Sequence, residues 1–430
     1  MNLETLQDAE RYLDGLINRE KKTQYDYERL GLGPIRALLA ETGHPERDLP
    51  CVLIAGSKGK GTTTLATEQL LRAAGRRVGA FVKPHLETWR ERFRVNGELV
   101  GEAELVAALR DMQPAIERLR TDTERCPSFF DVTVALALRL FRDARVDVGA
   151  IEVGLGGRLD STNAVDARVT VVTAIQLEHT DKLGDTLDAI GREKAGIFRA
   201  KVPALHGPLA PDAWGALAAQ AISVDAPLEE VRAERVTADA KGVRFELDGR
   251  ALASPVLGAH QATNLALAVR ATETFLGRAL TSAELDSLHS LVLPARVERI
   301  GEAILDDAHT PDSARALRET LASLWPAQRF VFVLSISRDK DAAGIVTELA
   351  PVTRACVATA AEATRSIAPD EIARLAWSSG IEEVVAEPEP LAALARARSL
   401  MREGDRLAVA GSVFLAGALR RHLVAAARAV

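Results

Sequence analysis

Short apolar runs alternate with longer stretches rich in alanine and leucine along most of the chain. The runs at 51–55, 78–82, 148–153 and 169–175 are almost continuously apolar, as strands buried on both faces must be. Most are separated by segments of helical length, and the alternation predicts a doubly wound α/β domain built on a parallel sheet. The rhythm breaks between about 228 and 257. There Gly242-Val243-Arg244-Phe245-Glu246-Leu247 alternates with period two and runs into an Asp248-Gly249 turn, which predicts a small antiparallel side sheet. A helix is expected over 261–276. The link Leu293-Pro294-Ala295-Arg296 then opens a second βα series, with strands near Ile304 and over 329–335, 355–359, 382–385 and 406–410. The pattern therefore divides the chain into residues 1–295 and a smaller, Rossmann-like α/β domain at 296–430, with a cleft between them. No repeat of fixed period interrupts this reading.

The 430 residues are 47% hydrophobic and 27% charged, enough apolar material for two filled cores and too much for a disordered chain. A net charge of -6 gives no overall reason to bind nucleic acid, although Arg90, Arg92 and Arg94 form a local basic stretch. Cys51, Cys126 and Cys356 are too scattered for a disulfide framework or a zinc site and read as buried small hydrophobes. The first ten residues are polar and acidic, and no apolar run approaches the ~18 residues of a membrane span. A cytoplasmic protein with neither nucleic-acid nor membrane partner is expected.

Chemistry concentrates first at Ile54-Ala55-Gly56-Ser57-Lys58-Gly59-Lys60-Gly61-Thr62-Thr63, where a strand should give way to a helix. Glycines let backbone N–H groups close on phosphate oxygens, the helix N-terminus adds positive potential, and Lys60 can reach terminal phosphates. The first domain is thus expected to be of P-loop type. The spacing is not that of the strict Walker loop, because only two residues separate Gly56 from Gly59 and Gly61 stands between Lys60 and Thr62. Glu152 falls at the C-terminal end of an apolar run, the sheet edge where open α/β folds hold ligands, and with the Thr62 hydroxyl it suits Mg²⁺. Taken alone, His179 reads as a packing histidine. Lys194 reads as a solvated lysine opening a helical stretch.

The loop is followed in order by Lys83-Pro84-His85-Leu86, Glu91 to Glu98, Phe129-Phe130-Asp131-Val132-Thr133, Glu152 to Asn163, Leu177-Glu178-His179-Thr180, Glu193-Lys194-Ala195-Gly196-Ile197, Gly258 to Asn264, Asp339-Lys340-Asp341 and Gly411 to Gly417. This series resembles the folylpolyglutamate synthase and dihydrofolate synthase family of Mur-type ligases. The resemblance implies an ATP- and Mg²⁺-dependent ligase, with a monovalent cation as a further possible cofactor, that joins glutamate to a pterin or folate carboxylate and works as a monomer. It implies phosphate binding by Gly56, Ser57, Lys58, Gly59, Lys60, Gly61 and Thr62. It places Gln261 and Asn264 by the adenine, and Arg296 and Asp306 by the nucleotide at the domain junction. Thr62, Glu152, His179 and a carbamoylated Lys194 become the metal site, with Lys60, Lys194 and His309 catalytic. Lys83, His85, Phe130, Asp160, Lys340 and Ser412 face substrates, and His309, Lys340 and Ser412 share the cleft where the amino acid meets the nucleotide.

The chain departs from the family pattern at Ser57 and Lys58, at Ala295, at Asp307 and Thr310, and at Lys83, where a metal-binding serine is usual. An ammonium cannot bind a metal ion, so Lys83 is expected to contact the γ-phosphate instead. A ligase specialised for another pterin or carboxylate, or an ATP-binding regulator without catalysis, are the competing readings. A cell-wall Mur ligase is disfavoured, because the 55 residues before Gly56 leave little room for a UDP-sugar domain.

Overall fold

The computed structural model describes residues 2–20, 27, 30–362 and 364–428. Its largest sheet contains β1 (Pro50–Ala55), β2 (Val78–Phe81), β3 (Phe93–Val95), β4 (Glu98–Leu99), β5 (Val148–Glu152), β6 (Asp166–Val172), β7 (Ala204–His206) and β8 (Leu228–Glu230), in the order β4-β3-β2-β5-β1-β6-β7-β8. The strands from β2 to β8 in that order run parallel, and β3 and β4 add an antiparallel edge. Cys51, Val52, Leu53, Ile54 and Ala55 are all fully buried, because helices cover both faces of β1. Burying a side chain of this kind stabilises the fold by about 1.5–3 kcal/mol.

The sheet order also locates the site. From β1 the chain moves outward to β2, returns to β5, and then crosses to β6 on the far side. The loops leaving the C-terminal ends of β1, β5 and β6 therefore diverge around one crevice, the position where doubly wound sheets bind ligands.

The side sheet consists of β9 (Glu234–Asp239), β10 (Gly242–Leu247) and β11 (Arg250–Ser254), with Asp248 and Gly249 turning between the last two as the sequence predicts. One expectation is corrected: the side sheet does not begin at 228. Leu228–Glu230 instead pairs in parallel with β7 and extends the main sheet, a partnership 24 residues away that local alternation cannot reveal. The helix Gln261–Leu276 packs on the helix Lys60–Ala73.

The third sheet is formed by β12 (Glu298–Ile300), β13 (Ala303–Leu305), β14 (Phe330–Leu334), β15 (Thr353–Ala358), β16 (Glu383–Ala386) and β17 (Arg406–Ala410), in the order β12-β13-β17-β14-β15-β16. Only β12 is antiparallel to its neighbour. The molecule is thus a large parallel-dominated α/β unit joined to a smaller mixed-sheet unit. Among the described residues no helix is long and apolar enough to cross a membrane. Cys51 and Cys356 are buried and Cys126 half-buried; all three are free.

Candidate active site

Between β1 and the helix Lys60–Ala73 the backbone makes a tight loop that only glycine allows at two points. Gly56 and Gly59 have φ of 145° and 88°, and a Cβ would overlap Thr173 Oγ1 at the first and Asn264 Oδ1 at the second. The loop is braced from outside. Thr173 Oγ1 donates to the Lys58 carbonyl (2.6 Å), and Ser57 Oγ donates to the Gln176 carbonyl (3.1 Å) while accepting from the Gln176 N–H (3.0 Å). Lys60 Nζ folds over the loop onto the carbonyls of Gly56 (2.7 Å) and Ser57 (3.2 Å). The free N–H groups of the first helical turn face outward, a cradle suited to phosphate. Asn264 lies against Gly59 and its Nδ2 donates to Gln261 Oε1 (2.9 Å), so the two form one pair beside the loop.

Glu152 ends β5, buried, and accepts the Lys83 N–H at 3.0 Å. Burial pushes its pKa up, against the pull of Lys60 and Lys83. Its Oε2 lies 3.5 Å from where a Cβ on Gly61 would be, directly over the start of the loop helix. Asp160 is also buried, but its carboxylate accepts from the N–H groups of Leu155 (2.8 Å) and Thr162 (3.0 Å) and from the Thr162 hydroxyl (2.6 Å). It holds the glycine-rich loop after β5 in shape. Phe130 packs on Phe81 with ring centroids 6.1 Å apart.

Lys194 does not open a helix. It lies in the last turn of Leu187–Ala195, 1% exposed, with its ammonium 2.8 Å from Glu178 Oε1. Its apolar neighbours in sequence read as helix in either direction, and the Thr186 cap that fixes the start eight residues upstream was the missed signal. Burial brings the Lys194 pKa down to about 8, with Glu178 opposing. Burial alone would raise Glu178, but Lys60 and Lys194 hold it down to about 2. His179 next door has a left-handed φ of 47°, a strained conformation for a non-glycine residue. Burial lowers its pKa to about 4, so its ring is neutral at neutral pH.

Across the cleft, Arg296 is ion-paired to Asp307. Asp306 accepts from the N–H groups of Val297 (2.7 Å) and Ala308 (2.8 Å), pinning the linker to β13. Burial and the adjacent Asp307 raise Asp306; burial would raise Asp307 too, but Arg296 and His309 keep it low. His309 Nδ1 lies 2.8 Å from the Asp307 carbonyl, and Lys340 pairs with Asp339 (3.0 Å) while influencing both His309 and His179. Ser412 is buried and accepts from the Phe414 N–H (3.2 Å), before the helix Val413–Arg428.

A cavity of about 820 Å³ opens between the two units, and Gly61, Thr62, Lys83, Glu152, Arg296 and Asp307 line it. The other predicted site residues, 56–60, His85, Phe130, Asp160, His179, Lys194, Gln261, Asn264, Asp306, His309, Lys340 and Ser412, lie outside that lining. Sequence reading did not assign Glu178, Glu20 or Arg92 to the site. Arg92 is 1% exposed, bonds Glu20 twice (2.9 and 2.7 Å) and donates to His85 Nδ1 (3.1 Å), fixing the loop that carries Lys83. A signal existed for Glu178, an acid directly beside His179 in the loop that follows β6. None existed for Glu20.

Among the described residues no three His, Cys, Asp or Glu side chains come close enough to hold an ion unaided. The donors nevertheless fit magnesium, which binds through one or two carboxylates, phosphate oxygens and water. Among the described residues Glu152 accepts one hydrogen bond, from the Lys83 N–H, and Thr62 lines the same cavity. Around His179 the fit depends on Lys194, whose ammonium repels a cation until the amine is modified.

Residues 54–272 match the Mur ligase middle domain and residues 295–413 the Mur ligase glutamate ligase domain. A dihydrofolate synthase/folylpolyglutamate synthase of Mycobacterium tuberculosis is 32% identical over 378 residues, covering 80% of this chain and 77% of the relative. The structure of Mycobacterium tuberculosis folylpolyglutamate synthase complexed with ADP superposes with a TM-score of 0.89 at 31% identity, covering 97% of this chain and 98% of that one. The bifunctional folylpolyglutamate synthase/dihydrofolate synthase of Yersinia pestis, complexed with AMPPNP and a Mn ion, gives 0.81 at 29% identity, with 98% of each chain covered. The chain belongs to the folylpolyglutamate synthase and dihydrofolate synthase family of ATP-dependent Mur-type ligases.

Proposed function

We propose that this enzyme joins L-glutamate to the carboxylate of dihydropteroate or a folate at the expense of ATP, in the cytoplasm and as a monomer. Residues 1–295 hold the nucleotide and the pterin, and 296–430 the amino acid. One observation carries the reading: Gly61 and Thr62, at the end of the phosphate loop, and Glu152 of the first unit face Arg296 and Asp307 of the second across one cavity. A carboxylate oxygen of the pterin substrate attacks the γ-phosphorus and ADP leaves, giving an acyl phosphate. The glutamate amine then attacks the acyl carbon, inorganic phosphate departs, and the nitrogen loses a proton.

Lys60 and the loop N–H groups bind the phosphates and balance the charge that develops on them. Glu152 and Thr62, with His179 and a modified Lys194, would hold magnesium, which supplies charge neutralisation to the phosphates. The lowered pKa of Lys194 favours the neutral, nucleophilic amine; its nitrogen bonds the carbon of CO₂ to give a carbamate, with two protons lost in all from the ammonium, turning a cation into an anion next to Glu178. Phe130 supports the pterin, Gln261 and Asn264 the adenine, Arg296 and Asp306 the nucleotide at the junction, and His309, Lys340 and Ser412 the incoming amino acid. His85 positions the Lys83 loop through Arg92. Domain closure excludes water from the acyl phosphate. The three free cysteines, two of them buried, support a reducing compartment.

The test is incubation with ATP, Mg²⁺, each of dihydropteroate and reduced folates, and each amino acid, following ADP and product mass. ADP release that requires both a pterin acid and glutamate, with a product heavier by one glutamyl residue, is expected. Release independent of either would overturn the reading. Preference for another carboxylate is the second reading, favoured by the charge that Lys83 brings to the site.

A further inference from the structure

Lys83 leaves β2 at the same sheet edge as the phosphate loop, and its backbone is fixed there by the N–H bond to Glu152. Its half-buried side chain lines the interdomain cavity beside Gly61 and Thr62. Burial, with Lys60 adding to it, pulls the Lys83 pKa below the ordinary lysine value, while Glu20, Glu152 and Asp160, from three separate segments, favour the ammonium. No carboxylate among the described residues lies within ion-pair distance of it, whereas Arg92, Arg296 and Lys194 each have one. Asp160 and Glu20 are already occupied, by Leu155 and Thr162 and by Arg92. The Lys83 side chain thus lies among three acids and the Lys60 ammonium, ion-paired to none of the acids, and lines the cavity above the loop helix.

We propose that Lys83 is a fixed cation that contacts the terminal phosphate of the bound nucleotide and takes the place of a second divalent ion, leaving Glu152 to hold one. This rests on the ATP-binding reading above. A divalent ion close to an ammonium in a site of low dielectric is strongly repelled. A lysine, unlike an ion, needs no recruitment from solution, so nucleotide binding should depend less on metal.

The experiment has two readouts, neither of them turnover. Calorimetry measures AMPPCP affinity with Mg²⁺ and with EDTA, and electron paramagnetic resonance counts Mn²⁺ bound per chain with AMPPCP present. The wild type is expected to retain metal-free binding. Lys83→Met should weaken it about ten- to a hundredfold, the scale of one hydrogen bond to a charged group, and Lys83→Arg should retain most of it. Lys83→Ser should lose it and bind one more Mn²⁺ than the wild type. Circular dichroism of each variant identifies any that fails to fold, and Lys83→Met and Lys83→Arg then still decide the question. Equal metal-free affinity in Lys83→Met and wild type, or equal Mn²⁺ counts in Lys83→Ser and wild type, would overturn the proposal while leaving the nucleotide reading intact. Failure of the wild type to bind AMPPCP under every condition would overturn both.

Discussion

The two walls of the cleft hold their charges in different ways. On the phosphate-loop side the shape is fixed by backbone bonds: Thr173 and Ser57 brace the loop, and Glu152 takes its place from the Lys83 N–H. On the opposite side Arg296 and Asp307 are paired with each other, and Asp306 is tied to the linker. The first wall is therefore shaped for phosphate before the nucleotide arrives. On the function proposed above, the second would exchange an internal ion pair for a contact with the ligand.

The largest effect expected to sharpen this contrast is at Lys60. Lys60→Ala should lower kcat/KM about a hundred- to a thousandfold, the scale of one preorganised charge contact in the transition state, without lowering Tm. Steady-state kinetics and melting curves would decide, and turnover unchanged in the folded variant would contradict the phosphate role. Next, Lys194→Ala should lose activity on a similar scale and recover part of it with acetate, which can return the missing carboxylate. Carbon NMR of wild type in labelled bicarbonate should show a carbamate resonance that is missing from Lys194→Ala. Identical spectra of the two proteins would rule the modification out.

At the second wall the direction reverses. Asp307→Asn removes the competitor for Arg296, so ADP should bind about three- to tenfold tighter, as expected of a single ion pair. Weaker binding by calorimetry would show that Asp307 serves the nucleotide rather than restraining Arg296.

The smallest effect concerns the loop carrying Lys83. Burial would raise Glu20, but Arg92, Lys83 and His85 hold it at about 2, below its ordinary 4.5. A depressed carboxyl stabilises the fold above its unfolded pKa and loses that contribution as pH falls through the folded value. The Tm gap between wild type and Glu20→Gln should therefore be full at neutral pH and close between about pH 4.5 and pH 2. A gap independent of pH would point to packing alone.

Much of this was legible in the sequence, for identifiable reasons. Runs such as 51–55 and 148–153 announce strands because both faces are buried, and Gly56 and Gly59 announce a loop that other residues cannot form. The Asp248-Gly249 hairpin and the helix Gln261–Leu276 are local signals of the same kind. What the sequence concealed depends on distant partners. Leu228–Glu230 became a main-sheet strand through β7, Glu20 reaches Arg92 across 72 residues, and Glu178 gained its role from Lys194, 16 residues downstream. The Arg296 and Asp307 pair was hidden for the same reason, since two opposite charges eleven residues apart imply contact only once β12 and β13 form their hairpin.

The central claim is that the substrate carboxylate is activated by phosphoryl transfer, and a labelled oxygen follows that step directly. With both carboxylate oxygens of the pterin substrate enriched in the heavy isotope, ATP and glutamate, the account predicts one labelled oxygen in each inorganic phosphate released. Phosphate free of the label, its fourth oxygen taken from water, with amide product still formed, would contradict it.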